Sequence, residues 1–506
     1  MTFDDILAKY RMTSFSERDK GARFERLMRA YLLTDPKYTV ILRQVWLWED
    51  FFAHEELGGV DTGIDLVAET VDGDYWAIQC KCYREATTID KPDVDTFFST
   101  SGKTFHNPDG VQVGFVMRLW ISTTDRWTTN AENALHGQTI PVTRINIGDL
   151  RNAPIDWDKL ENGIHGEAAR TARHTPKPHQ MKAIDDTHEY FRHTERGKLI
   201  MACGTGKTFT ALKITEREAD GFALVLVPSI ALVGQVLNEW TTHAEKPINS
   251  ICVCSDPRVS QTRRKSGADQ DSFSIVDLTV PATTDPKRIV EQFNKFQNGN
   301  LTVIFSTYQS IEAIEEAQKQ GLPGFGIIVC DEAHRTTGVT LSGNDESAFV
   351  RVHDNRNVKG MKRLYMTATP RLYHDDAKTK AKQKDAVLCS MDDPAIYGEE
   401  IYRIGFGEAV EKGLLSDYKV LVFTVSDKDI PAAFQEIIAD NTTKELPADA
   451  GAKIIGCINA LSKQVWGPGS DTLTEADPAP MQRAVAFCQS IANSEAITQM
   501  FNVPAG

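Results

Sequence analysis

Two sets of residues on this chain have the types and spacing needed to handle phosphate groups. The first is the loop Ala202-Cys203-Gly204-Thr205-Gly206-Lys207-Thr208, which follows the apolar run Leu199-Ile200-Met201 and opens a helix-like stretch, Thr208 to Ile214. Gly204 and Gly206 permit the tight backbone path whose N–H groups cradle phosphate oxygens. Lys207 places a point charge on them, and Thr208 offers a hydroxyl to Mg²⁺. Further on, Phe325-Gly326-Ile327-Ile328-Val329-Cys330 reads as a buried strand that delivers Asp331-Glu332-Ala333-His334 at its C-terminal end, where open α/β sheets place ligand chemistry. Asp331 would hold Mg²⁺ through water, and Glu332 is placed to orient or deprotonate an attacking water.

The second set lies near the N-terminus. Ile64 to Thr70 and Tyr75 to Lys81 are apolar strand-like runs joined by a turn containing Asp72-Gly73, a hairpin signal. Gln79 and Lys81 share a face because strand side chains alternate. A two-residue Asp72-Gly73 loop sets Asp65 opposite Cys80, on the wrong face; a three-residue loop ending at Gly73, or a bulge, sets it opposite Gln79. Upstream, Phe24, Leu27, Met28, Tyr31 and Leu32 recur at helical spacing with Glu25 beside the stripe. Hydrolysis of a phosphodiester needs a cation on the scissile phosphate and a polarised water, which Asp65, a second oxygen ligand and Lys81 can provide. A hard, oxygen-rich site favours Mg²⁺.

Lys207, Asp331 to His334 and Thr367 to Thr369 resemble motifs I, II and III of superfamily two helicases and translocases. Pro178-His179-Gln180 resembles the adenine-reading glutamine motif, so Gln180 is an expected ATP contact; Val227 to Leu232 with Gln235, and Phe305 to Gln309, resemble DNA-contacting motifs. Asp65, Gln79 and Lys81, preceded by Gly59 to Ile64 and by Gly21 to Glu25, resemble the Mrr-like branch of the PD-(D/E)xK nucleases. That resemblance implies Asp65 as metal ligand, Gln79 in the second-acid slot, Lys81 as the water-activating residue and Glu25 as a helix-borne ligand, with Asp61 a further candidate. Nuclease followed by DEAH-box motor resembles the N-terminal part of single-chain type ISP restriction-modification enzymes. The resemblance implies ATP-driven translocation along double-stranded DNA with Mg²⁺-dependent cleavage of unmodified DNA, and methyltransferase and target-recognition domains downstream. A repair or recombination helicase-nuclease would share the same residues, and a motor whose front domain only binds DNA is a further alternative.

The elements that must position these residues are those of an α/β protein: a restriction-endonuclease-like α/β/α domain over 1–150, a linker over 151–177 marked by Pro154, Gly163, Gly166 and Pro176, a RecA-like parallel-sheet lobe over 178–395 and a partial second lobe over 396–506. Arg483 to Ser490 resembles motif IV. The polar stretches Asp256 to Asp285 and Thr336 to Gly360 read as mobile insertions. Motifs V and VI, with their arginine finger, do not follow, so weak ATP hydrolysis and a longer parent polypeptide are expected.

A length of 506 residues permits three domains with cores of their own, and 41% hydrophobic with 25% charged residues is a globular composition. The net charge of −14 excludes a surface that grips phosphates everywhere. DNA contacts must be local, with Arg23, Arg26 and Arg29, or Arg263-Arg264-Lys265, as candidates. Nine cysteines without a CxxC pair argue against structural zinc and a disulfide framework. With no signal-like N-terminus and no membrane-length apolar run, a cytoplasmic location is expected.

Overall fold

The computed structural model describes residues 1–59, 63–255, 274–296, 298–341, 348–373 and 386–418, with isolated positions beyond. It divides into a unit Met1–Leu415 and a second, Ser416–Gly506. The expected motif IV, Arg263 to Lys265 and Asp61 fall outside the described residues, apart from Val485 and Phe487.

Helix α1 (Phe3–Thr13) is followed by α2 (Glu17–Leu32), where the Ser16 hydroxyl accepts a hydrogen bond from Asp19 N–H and so satisfies a free donor of the first turn. The stripe read from the sequence is the buried face: Phe24, Leu27, Met28, Tyr31 and Leu32 are all buried, each contributing roughly 1.5–3 kcal/mol of apolar burial. It packs on a six-stranded sheet made of β1 (Leu42–Leu47), β2 (Leu66–Thr70), β3 (Tyr75–Lys81), β4 (Thr104–His106), β5 (Gln112–Ser122) and β6 (Val142–Ile145). The order is β1-β2-β3-β5-β4, with β6 beside β5. Alternation divides the strands between two cores: Leu66, Ala68, Trp76 and Ile78 face α2, whereas Val67, Tyr75 and Ala77 face helices Lys91–Ser101 and Thr129–Leu135. The result is an α/β/α sandwich.

Residues 151–177 are not the open linker that their prolines and glycines imply. Ile155, Trp157, Leu160 and Ala169 are buried in the α2-side core, and Trp157 stacks on Tyr31 at 5.7 Å. The turn-forming residues bend the segment, and its apolar residues hold it against the domain it was expected to leave.

The second sheet comprises β7 (Arg196–Met201), β8 (Phe222–Val227), β9 (Asn249–Val253), β10 (Thr302–Thr307), β11 (Phe325–Cys330), β13 (Gly360–Thr367) and β15 (Glu399–Ile404); β12 (Gly338–Leu341) and β14 (Ala386–Cys389) form a small antiparallel pair apart from it. The order is β15-β7-β13-β11-β8-β10-β9, and every pairing is parallel. Two expected boundaries move. Strand β15 joins this sheet on β7, so the lobe does not end at 395. Within the polar stretch 256–285, the described part, 274–285, docks instead of floating: Val276 enters the core of the first domain, Leu278 and Val280 enter that of the second, and Tyr38 Oη donates to the Thr279 carbonyl at 2.8 Å. Arg144 Nε meets Asp277 Oδ1 at 2.5 Å and its Nη1 meets Glu132 at 2.7 Å, so this buried ion pair has the extra hydrogen bonding it needs.

Two buried imidazoles sit in the parallel-sheet lobe. Burial, with His174 and Lys213 nearby, holds His243 down at about 4, and burial does the same to His353, whose Nδ1 faces the Tyr365 hydroxyl at 2.9 Å. A depressed imidazole stabilises the fold fully above the unfolded value near 6.5 and loses that contribution as pH falls towards 4. The urea midpoint is therefore expected to drop from pH 7 to pH 5, at up to about 1.4 kcal/mol per pH unit per imidazole. A flat profile over this range would contradict the neutral, buried assignment.

Candidate active sites for phosphodiester and nucleotide chemistry

The turn between β2 and β3 decides whether the N-terminal residues meet. Glu69 pairs with Tyr75 and Leu66 with Ile78, and Thr70 N–H donates to the Asp74 carbonyl, leaving Val71, Asp72 and Gly73 as a three-residue loop. Gly73 takes φ +84°, open to glycine at no steric cost. Asp65 lies just before β2, where its N–H donates to the Ile78 carbonyl at 2.9 Å, beside Gln79. Gln79 Nε2 donates to Asp65 Oδ2 at 2.6 Å, and Cys80 N–H donates to the same oxygen at 2.7 Å. Gly63, at φ +72°, holds the approach to Asp65 so close to helix Lys91–Ser101 that a Cβ would lie 2.9 Å from Phe97 N.

Burial pushes the Asp65 carboxyl up, against the opposing pull of Lys81 and of its two hydrogen bonds. Burial, then repulsion from Asp65, raises Glu25 to about 7, with Lys81 opposing. The structure thus joins Asp65 to Gln79 directly, with Glu25 and Lys81 near enough for their charges to act on Asp65 and on each other but not within ion-pair distance. No cluster of three His, Cys, Asp or Glu side chains suited to a metal occurs among the described residues. A cation here would rest on two carboxylates, the Gln79 amide oxygen and backbone or water oxygens, a donor set that fits a metal retaining several waters. Arg23 is paired with Asp19 and Arg29 Nε donates to the Val45 carbonyl, so neither is a free phosphate ligand.

In the parallel sheet, β7, β13 and β11 are neighbours, and their C-terminal ends carry the glycine-rich loop, Thr367 and Asp331. Gly204 and Gly206 have φ +84° and +82°, and Gly206 caps helix Lys207–Glu218. Lys207 Nζ lies 3.8 Å from Glu332 Oε1, and a small cavity is lined by Lys207, Thr208 and Asp331. Burial, then the charge of Glu332, raises Asp331 to about 6, with Lys207 opposing. His334 Nδ1 is 3.0 Å from Thr367 Oγ1, joining two of the expected motifs. Backbone N–H groups at a helix start, an ammonium, a hydroxyl and a buried carboxylate fit a nucleotide phosphate with a divalent cation.

Gln180 is found bracing the loop: its Nε2 reaches the Thr205 and Gly206 carbonyls at 3.4 and 3.3 Å, and its Oε1 accepts from Lys177 N–H at 2.8 Å. Sequence reasoning missed three neighbours. His179 Nε2 lies 2.9 Å from the Thr205 carbonyl, Leu415 packs over Gly204, and Tyr308 Oη donates to the Asp331 carbonyl at 2.8 Å. Adjacency of His179 to Gln180 was a usable signal; nothing in the local sequence pairs Leu415 or Tyr308 with these loops.

Residues 33–167 match the family described as Restriction endonuclease, and residues 173–372 match Type III restriction enzyme, res subunit. The chain therefore joins a restriction-endonuclease domain to a helicase-like ATPase domain. It is 34% identical to the ATP-dependent type ISP restriction-modification enzyme LlaBIII, solved bound to DNA, with a TM-score of 0.75 over 99% of this chain and 31% of that one. A nuclease-deletion mutant of the type ISP enzyme LlaGI, solved with a DNA substrate mimic, is 38% identical over 53% of this chain and 22% of that one, with a TM-score of 0.39. The type I restriction enzyme EcoAI endonuclease subunit of Escherichia coli is 24% identical over 63% of this chain and 33% of its own length. The chain spans about a third of the length of LlaBIII and of the EcoAI subunit.

Tyr308 is fully buried, stacks on Phe349 at 5.2 Å and fixes the peptide between Asp331 and Glu332. Tyr308→Phe keeps the ring and removes only that hydrogen bond. It is expected to lower the kcat of DNA-stimulated ATP hydrolysis about tenfold, the worth of one buried hydrogen bond, with KM for ATP nearly unchanged. An unchanged kcat would show that the hydroxyl does not position the carboxylates.

Proposed function

We propose that this chain is the nuclease and motor portion of a type ISP-like restriction enzyme, which moves along double-stranded DNA at the expense of ATP and cleaves unmodified DNA with Mg²⁺. The observation that supports this reading is that Gln79 Nε2 and Cys80 N–H hold Asp65 Oδ2 just before β2 of the first sheet, in a chain whose second sheet sets Lys207 beside Glu332 and Asp331. In this proposal, methyltransferase and target-recognition domains belong to the same full-length polypeptide, as the type ISP resemblance implies.

At the first site, Asp65 and Glu25 are the anionic ligands and Gln79 the neutral one. Mg²⁺, when bound there, supplies a Lewis acid for the scissile phosphate and a polarised water. The hydrogen bonds from Gln79 and Cys80 fix Asp65 Oδ2, leaving Oδ1 free to ligate a cation, and the Lys81 ammonium would orient and polarise the attacking water and offset charge on the scissile phosphate. At the second, Lys207 neutralises charge on the β and γ phosphates, and the loop Gly204-Thr205-Gly206 cradles them. Thr208 and Asp331 hold the ATP-bound Mg²⁺, Glu332 orients the hydrolytic water, and Gln180 reads the base after release from the loop it braces.

Asp65→Ala and Lys81→Ala are each expected to reduce DNA cleavage by roughly a thousandfold while DNA-stimulated ATP hydrolysis persists. Lys207→Ala should abolish ATP-dependent movement and the cleavage that depends on it. Cutting at the wild-type rate by Asp65→Ala protein would leave the front domain a DNA-binding passenger, and equal cutting of methylated and unmodified DNA would favour a repair nuclease. Glu25 adds a pH signature. Its carboxyl gives up its proton as pH rises through about 7, so at limiting Mg²⁺ cleavage should climb between pH 6 and 8, and Glu25→Gln should flatten that climb.

A further inference from the structure

The end of α1 and the turn after it display two large apolar side chains to solvent: Met12 is 86% exposed and Phe15 95% exposed. Single exposed apolar residues need no explanation, but these two stand three residues apart at one well-held helix end. Ser14 N–H donates to the Tyr10 carbonyl at 3.1 Å, Asp19 N–H to the Ser16 hydroxyl at 3.1 Å, and Phe15 N–H to Asp19 Oδ2 at 3.1 Å. The backbone is pinned and the Phe15 ring points away from it, a conformation that hides no apolar surface.

The surroundings are basic in a protein of net charge −14. Arg11, Arg18 and Arg84 are exposed, and none makes an ion pair among the described residues. Of the acids in the turn, Glu17 is taken by Lys20 at 2.5 Å and Asp19 by Arg23 at 3.2 Å. Helix α2, which begins two residues after Phe15, packs on β3, the strand that carries Gln79 and Lys81. Along α2, Glu25 lies eight residues beyond the first residue, Glu17, or ~12 Å of helix, so its separation from Phe15 is on the order of four base-pair steps of duplex DNA.

We propose that Phe15, with Met12 beside it, is an apolar wedge that enters a base step of duplex DNA about four base pairs from the phosphate held at Asp65 and Lys81, with Arg11, Arg18 and Arg84 on the flanking phosphates. The partner is identified by its chemistry: an apolar tip ringed by unpaired guanidinium groups suits a stacked polyanion, since aromatic and aliphatic side chains unstack a base step while cations hold the backbone. This surface rests on the nuclease reading for its distance from the cut but not for its contact with DNA.

The test uses the full-length protein and duplexes carrying 2-aminopurine at successive positions. In the Asp65→Ala protein, kept from cutting, fluorescence is expected to rise at a step about four base pairs from the wild-type cut, and adding Phe15→Ala should abolish the rise. In the otherwise wild-type protein, Phe15→Ala should slow cleavage about tenfold, Phe15→Leu should recover most of it, and neither should alter DNA-stimulated ATP hydrolysis or the thermal midpoint. Absence of any position-specific rise, or unaltered fluorescence and cleavage in Phe15→Ala, overturns the wedge. A Phe15→Ala change that alters sedimentation in place of fluorescence also overturns it and assigns the pair to self-association. If Asp65→Ala still cuts, the nuclease reading fails while the fluorescence result stands on its own.

Discussion

Both sites are built on the same unbalanced charge: two carboxylates and one ammonium, largely withdrawn from water. Glu25 and Asp65 share Lys81, and Asp331 and Glu332 share Lys207. Withdrawing these carboxyls from water, and then setting a second carboxylate beside each, is costly, and one lysine does not offset it, so Glu25 is raised to about 7 and Asp331 to about 6. A divalent cation bound at either site would supply the missing charge and relieve the repulsion. The two domains have unrelated sheets, yet each delivers a carboxylate from a strand end, Asp65 just before β2 and Asp331 just after β11, while Glu25 comes from α2.

The two sites are also held in one body. Segment 274–283 belongs by sequence to the motor lobe but lends Val276 to the core of the nuclease domain and Asp277 to Arg144, while Leu278 and Val280 stay in the motor core. From the nuclease side, residues 151–169 fold back onto α2. The first domain is thus joined to the parallel-sheet lobe by packed side chains and a buried ion pair, so that on the proposed reading the two would move together.

How much of this was legible in the sequence depended on whether a feature was local. The stripe of α2 and the strand-to-loop transitions at Lys207 and Asp331 follow from periodicity and glycine placement within a few residues. The hairpin register was left open because Asp72-Gly73 serves a two-residue or a three-residue loop equally, and only the Thr70–Asp74 pairing resolves it. Residues 151–177 were misread because turn-formers were weighed above Ile155, Trp157 and Leu160, whose burial depends on a groove formed by α1 and α2. The docking of 274–285 was hidden for the same reason: its apolar residues answer to two cores, so they show no period of their own. Strand β15 was assigned to the next lobe because a parallel edge strand carries no signal of which sheet it will join.

The conformation of Glu332 shows how the motor site is kept ready. Its φ of +47° is unusual for a residue with a side chain, a strain on the order of 1–3 kcal/mol. Left to itself, the backbone would relax towards the helical or extended regions and swing the carboxylate away from Lys207. Three contacts prevent that. Glu332 N–H donates to Asp331 Oδ1 at 2.9 Å, Tyr308 holds the Asp331 carbonyl from below, and His334, itself 3.3 Å from Glu332, is tied to Thr367 on the neighbouring strand. Tyr308 lies in the segment resembling a DNA-contacting motif and Thr367 in the one resembling motif III, so the strained residue is gripped by both. On the proposed reading, a shift of either element at the DNA would alter the restraint on one backbone torsion and so change where the Glu332 carboxylate points.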